Sequence, residues 1–298
     1  MTNTSNPGQD EIEASRAPLM DHLIELRGRL MFCVVAFVIA FVVSFYFAAD
    51  IQIALIKPYQ AAAAVHYAAL ASGHHGGNPF DLIAVTTGLK PFPQAGMAAV
   101  KLIATAPLEQ LFTKMKIAAF GAIILAFPII AWQLYRFVAP GLYRNERGAF
   151  LPFLLAAPLL FVMGAALVYF IMLPFVMLFS LSQQIVVPGI AVEQTTKISE
   201  YLSLVTSLML AFGLCFQLPV VTTLLGIAGI VSSKLMSQGR RYAIVAVVVV
   251  AAVVTPPDPI SQLMLAVPLV LLYEVSIWCV RIIEWRKPKV DGELGYST

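Results

Sequence analysis

Leu19-Met20-Asp21-His22-Leu23-Ile24-Glu25-Leu26-Arg27-Gly28-Arg29-Leu30 runs straight into the uncharged segment Met31 to Ala49. The second part exceeds the roughly 18 apolar residues that mark a membrane-spanning helix. The first part sets Asp21, Glu25, Arg27, Arg29 and titratable His22 at the edge of that span. A flank of this kind is ordinarily Lys and Arg at the headgroups. A mixed cluster containing carboxylates calls for either a structural partner or a ligand.

The composition carries the class outward from this boundary. Hydrophobic residues make up 60% of the chain and charged residues 12%, with a mean hydropathy of +0.86. A soluble domain has about 25% charged residues. The chain therefore reads as an integral membrane protein. Its apolar runs show no period-2 alternation, which favours an all-α bundle over a barrel. The net charge of +3 matters less than its distribution. Cys33, Cys215 and Cys279 each fall inside an apolar run without close spacing, so neither a disulfide framework nor a metal site is expected. Met1 to Pro18 is polar and acidic and has no basic n-region. Met31 to Ala49 is thus expected to be a retained span and not a signal peptide.

Apolar segments recur near Leu30 to Ala49, Ile117 to Val138, Ala149 to Leu173, Tyr201 to Ile230, Tyr242 to Thr255 and Ile260 to Val280. Six transmembrane helices put both termini on one side. Placing them in the cytoplasm puts every arginine inside and leaves Lys57, Lys90, Lys101, Lys114, Lys116 and Lys197 outside, as the positive-inside rule requires. Residues 1–17 then form a polar tail, 18–286 the membrane domain and 287–298 a cytoplasmic C-terminal tail.

The fifth segment, closed by Pro256-Pro257-Asp258-Pro259, would rise only about 21 Å against a hydrocarbon core of roughly 30 Å. With Ser261 and Gln262 opening the sixth, the two final helices are expected to be short. Pro128, Pro152, Pro158, Pro174, Pro219 and Pro268 interrupt other spans, and such kinks can curve a bundle into a concave wall. In the long first outer loop, the Ala-, Gly-, His- and Pro-rich tract 61–96 is expected to be a flexible insertion. His66, His74 and His75 are expected to be solvated there, since no carboxylate or cysteine lies at ligand spacing. Leu108, Leu111, Phe112 and Met115 lead a helix into the second span.

Three groups of polar residues are candidates for function. In the first, Leu19, Leu23, Leu26 and Leu30 form an apolar stripe of a helix lying at the membrane surface, opposite His22, Glu25 and Arg29. This is either an interfacial anchor with a Glu25–Arg29 pair at i, i+4 or half of a binding site. The second, Ala139-Pro140-Gly141-Leu142-Tyr143-Arg144-Asn145-Glu146-Arg147, puts Glu146 on the same membrane face as Glu25. Two carboxylates there suit a guanidinium ligand, although a solvated loop with local ion pairs is the simpler alternative. The third is Glu274 in the sixth span, either a proton relay or docking point at depth, or a residue near the cytoplasmic interface. No phosphate loop, zinc-protease motif or nucleophile elbow is present, so neither an enzyme nor a cofactor is expected. Nothing points to nucleic acid.

The chain resembles the TatC family, the polytopic receptor subunit of the twin-arginine protein translocase. The resemblance rests on His22-Leu23-Ile24-Glu25-Leu26-Arg27 before the first span, and on Phe137-Val138-Ala139-Pro140-Gly141-Leu142-Tyr143 with Glu146-Arg147 after the second. It rests further on Ala211-Phe212-Gly213 with Phe216 and Pro219 in the fourth, and on Thr255-Pro256-Pro257-Asp258 with Ser261-Gln262 at the last outer turn. It implies that Glu25 and Glu146 receive the twin-arginine motif of signal peptides on folded cargo, with Leu26, Arg27, Phe137 and Arg144 lining or supporting the patch. It also implies a concave bundle in a prokaryotic inner membrane and transport drawing on the proton motive force. Single-span partners of the TatA and TatB type would dock near the fifth span around Gln262, Asp258 and Pro256, in a hetero-oligomeric receptor complex containing several copies of the chain. The rival reading is a proton- or cation-coupled small-solute transporter built on Glu274.

Overall fold

The structure is a computed structural model that describes residues 7–73, 79–91, 93, 102–138, 150–183, 185–187, 190–192, 196–227, 229–254 and 259–286. The chain opens with α1, Pro7–Tyr46, a continuous helix of 40 residues and about 60 Å. The surface helix expected over Leu19 to Leu30 is therefore not a separate element. Gly28 is no obstacle, since a glycine weakens a helix interior by only about 1 kcal/mol.

Helix α2, Ala48–Ala71, follows almost at once, and α3 covers Pro79–Thr86. Here the structure corrects the expectation of a flexible insertion from residue 61. Ala61, Ala62, Ala63 and Ala64 are all at most 2% exposed and lie in the main core. Alanine is the best helix former, and its small side chain lets a helix axis come close to its neighbours. His66, expected in solvent, is 5% exposed on this same helix. His74 and His75 lie outside the described residues.

After the short strand β1, Leu102–Ile103, helix α4 runs over Glu109–Val138. The third apolar segment is split. Helix α5, Phe150–Leu167, passes through a π-helical turn, Val168–Met172, into α6, Leu173–Ser182. Pro174 explains the turn, because its ring clashes with the carbonyl four residues back, at Phe170 inside the π segment. A hairpin of β2, Ile185–Val187, and β3, Ile190–Val192, leads to β4, Thr196–Lys197, which pairs in parallel with β1. The fourth segment is likewise two pieces, α7, Ile198–Cys215, and α8, Leu218–Ile227. The break sits at Phe216 and Gln217, just before Pro219.

The chain closes with α9, Ser233–Gln238, then α10, Arg240–Val254, and α11, Pro259–Arg286. Helix α10 has 15 residues, about 22 Å, as short as its sequence suggests. Helix α11 corrects the expectation of two short final helices. It has 28 residues, because Pro268 bends it without ending it and the helix continues through Glu274, Arg281 and Glu284. Among the described residues, five helical stretches are long and apolar enough to cross a membrane: Ile24–Tyr46, Glu109–Phe137, Leu155–Ser182, Ile198–Ile227 and Gln262–Trp285.

Lipid is as apolar as leucine, so helices in it associate through close van der Waals packing at small residues. Two crossings show this. On α1 and α4, Ala40, Ala122 and Ala126 form a buried seam, and a methyl group added at Gly121 would sit 2.9 Å from the Ser44 hydroxyl. On α5 and α7, a methyl at Gly164 would meet the Phe212 carbonyl oxygen at 2.7 Å, and one at Gly213 would strike the Phe161 ring at 2.6 Å. The principal core joins α2, α4, α6 and α7, with Ala251 of α10 and Leu265 and Leu269 of α11 at its margin.

The lysine-bearing end of the bundle is tied by polar contacts to backbone. Tyr201 and Tyr169 donate to the Leu55 and Ala54 carbonyls of α2, each at 2.8 Å. Glu109 accepts from the Ser199 hydroxyl and from the Thr105 and Ala106 amides, which joins the start of α4 to the start of α7.

Candidate functional site

At the arginine-bearing end, α1 and α4 lie side by side, and both chain order and packing bring Glu25 and Arg29 to the last turns of α4. The i, i+4 spacing places the two on one face of α1. Arg29 donates from Nε to Glu25 Oε1 at 3.1 Å and from Nη2 to the same oxygen at 2.5 Å. Its Nη1 reaches across to Gln133 Oε1 of α4 at 3.4 Å. The Arg29 side chain is 18% exposed and that of Glu25 39%, so the guanidinium lies under the carboxylate and the carboxylate faces outward.

Leu26 and Arg27 are exposed on α1, and Phe137 is half-buried one turn beyond Gln133 on α4. Glu146 and Arg144 lie outside the described residues, as do Asp258 and Pro256. The structure thus brings Glu25, Arg29 and the end of α4 together and gives no geometry for the second carboxylate.

Gln133 is the residue that sequence reasoning missed. It is an amide in the apolar part of α4, which has no spacing signature of its own. Only the register of α1 against α4 reveals that it meets Arg29.

The last hairpin is built differently. Glu274 Oε2 accepts from Arg240 Nη2 at 2.8 Å, with 35% of the glutamate and 45% of the arginine side chain exposed. Arg240 opens α10, so Glu274 stands level with the start of that helix and is paired there, inside the candidate span Gln262–Trp285. Tyr273 donates to the Met236 carbonyl at 2.8 Å, and Glu284 accepts from the Ser233 amide at 2.8 Å and from the Ser233 hydroxyl. Beneath these contacts Met236, Ile277 and Val280 form a small apolar core. Gln262, at the other end of α11, donates to the Val248 carbonyl of α10 at 3.3 Å. Among the described residues no group of three His, Cys, Asp or Glu side chains is placed to hold a metal.

Comparison with known proteins places this architecture. The family model described as "Sec-independent protein translocase protein (TatC)" matches residues 21–268. The TatC of Magnetococcus marinus is 39% identical over 277 residues, covering 93% of this chain and 89% of that protein. The TatC of Aquifex aeolicus is 34% identical over 278 residues, covering 92% and 99%. A crystal structure described as the twin arginine translocase receptor TatC superposes with a TM-score of 0.67 at 32% identity, covering 88% of this chain and 99% of that one. A family match across most of the sequence, carried by identity above 30% and by the fold itself, means that this chain belongs to the TatC family of Sec-independent protein translocase proteins.

Proposed function

We propose that this chain is the signal-peptide receptor of its translocase and that Glu25 and Glu146 together receive the paired arginines of a twin-arginine signal peptide. Membership in the TatC family makes it a multi-pass bacterial inner-membrane translocase subunit rather than an enzyme. The observation that carries the receptor reading is Glu25 itself. It is an outward-facing carboxylate at the mouth of a helical hairpin, and it already holds a guanidinium through two N–H groups on one oxygen. A group so arranged suits a planar guanidinium better than an ammonium.

In this reading Leu26, Arg27, Phe137 and Arg144 line or support the patch, six helices span the membrane with both termini cytoplasmic, and the kinked spans form a concave wall. The short α10 counts as the fifth span. The edge around Gln262, Asp258 and Pro256 takes single-span partners of the TatA and TatB type, and several copies assemble in the receptor complex. The solute-transporter alternative has less to support it, since Glu274 is paired with the Arg240 guanidinium.

The test is binding of a synthetic twin-arginine signal peptide to the full chain in lipid nanodiscs. Glu25→Gln and Glu146→Gln should each weaken it, and more so at low salt, where exposed charges are least screened. Unchanged binding in both variants would reject the receptor site.

A further inference from the structure

Past Glu274, α11 outruns its partner. Arg240 begins α10 and bonds Glu274, so the turns of α11 from there to Arg286 have no α10 beside them. Met236 and Ser233 of α9 cover one face of those turns, at Ile277, Val280 and Glu284. A different flank stays open. Glu274, Trp278, Arg281 and Trp285 recur along it at i, i+4, i+7 and i+11, with Trp278 58% and Trp285 78% exposed. The Arg281 guanidinium lies over the Trp278 ring, 5.7 Å from its centroid, and makes no ion pair among the described residues. Arg240 reaches the same flank from above, using only Nη2 on Glu274. Glu274 and Arg281 stand about 10 Å apart along the axis, a gap that two extended arginine side chains can close around one anion.

We propose that this flank binds the phosphate of an anionic phospholipid, held between Arg281 and Arg240 over Trp278. Guanidinium forks match phosphate oxygens bidentately. The charge balance suits an anion: Lys234, Arg240, Arg241 and Arg281 stand against Glu274 and Glu284, and both carboxylates are already engaged, by Arg240 and by Ser233. The rest of the surface suits a lipid tail. Away from the charged end, α11 exposes Val275, Leu271, Val267 and Leu263, so an apolar stripe runs on from the phosphate position. The exposed indoles have an apolar body and an N–H, which belong at the boundary between acyl chains and headgroups. A free phosphate would use the guanidinium groups and leave the indoles and the stripe unused. At the start of α10 the arrangement repeats, with Arg241 4.8 Å over the exposed Tyr242 ring.

The experiment uses the full chain with Trp132→Phe, which leaves Trp278 and Trp285 as its tryptophans. It is reconstituted in phosphatidylcholine vesicles containing a minor fraction of brominated phosphatidylglycerol or of brominated phosphatidylcholine, and quenching of tryptophan fluorescence gives the relative affinity of the two lipids for the flank. Phosphatidylglycerol should be favoured about five- to tenfold, and Arg281→Gln should lower that preference about fivefold, the weight of one arginine facing anionic lipid. Lys234→Gln removes the same charge from the same end of the chain but off the flank, and should lower the preference by less than Arg281→Gln does. Soluble glycerol phosphate, the headgroup without chains, should not displace the lipid at millimolar concentration. Equal quenching by the two lipids would overturn the proposal. So would a loss with Lys234→Gln as large as with Arg281→Gln, which is net charge without a site, or displacement by glycerol phosphate, which makes the ligand a free anion. If Arg281→Gln does not fold, Arg240→Gln decides the matter by the same ratio, and an unchanged preference there would overturn the proposal.

Discussion

In the first hairpin, α1 against α4, the glutamate–arginine pair is local. Glu25 and Arg29 stand one turn apart on a single helix, with the arginine covered and the carboxylate turned out. In the last hairpin, α10 against α11, the pair is tertiary. Glu274 and Arg240 are 34 residues apart in sequence, comparably exposed, and accompanied by the Tyr273–Met236 and Glu284–Ser233 contacts. The same two residue types make a pair within one helix at one hairpin and a pair between two helices at the other, where further contacts add to it.

This contrast breaks most easily at the last hairpin. Glu284→Ala removes a carboxylate that accepts from both the amide and the hydroxyl of Ser233, and leaves that amide without this partner. Bonds to charged groups of this sort are worth about 1.5–3 kcal/mol each before exposure reduces them. We expect a loss of about 2 kcal/mol in thermal unfolding, with signal-peptide affinity changed less than twofold. A large affinity loss would join the two hairpins into one site. Next in size is Glu25→Gln, for which the expectation reverses. Peptide binding should fall about tenfold, equal to about 1.4 kcal/mol, while the unfolding temperature barely moves, since a partly exposed i, i+4 pair contributes only about 0.5 kcal/mol. Smaller still is the Glu274–Arg240 coupling. A double-mutant cycle with alanine at each position should give about 0.5 kcal/mol of stability, given its exposure, and no effect on binding.

A third region sharpens the contrast because His66 has no ion pair there among the described residues. Burial lowers the pKa of His66 on α2 from its ordinary value of 6.5, and its Nδ1 has no hydrogen-bond partner among the described residues. The folded state therefore favours the neutral ring. Its contribution is complete above the unfolded value and is lost as the pH falls from there through the depressed folded value. Thermal stability should decline modestly between pH 7 and pH 5 in the native chain. In His66→Phe that decline should be smaller.

Much of the fold was legible in the sequence because lipid imposes a single length on every span. Five of the six apolar segments reappear as helices long enough to cross, and α10 is as short as expected. The run Ala61 to Ala64 misled, because alanine has no strong hydropathy and looks alike in a loose loop and in a tight helix crossing. The length of α11 misled at its other end. Ser261 and Gln262 argued for a short helix, but polar side chains at its start do not shorten it, and it runs from Pro259 to Arg286. At the candidate site, Glu25 and Arg29 announced themselves by helical spacing. Gln133 did not, since its meaning lies in the register between α1 and α4, which no single segment encodes.

The central claim is that the arginine pair of a signal peptide docks at Glu25. Photocrosslinking tests it most directly, with a reactive residue placed beside the arginine pair of a twin-arginine peptide bound to the full chain. The account predicts adducts on α1 around Leu26 and on the end of α4 around Phe137, lost when the peptide's arginines become lysines. Adducts on α10 or α11 instead, or adducts at α1 that persist with the lysine peptide, would contradict it.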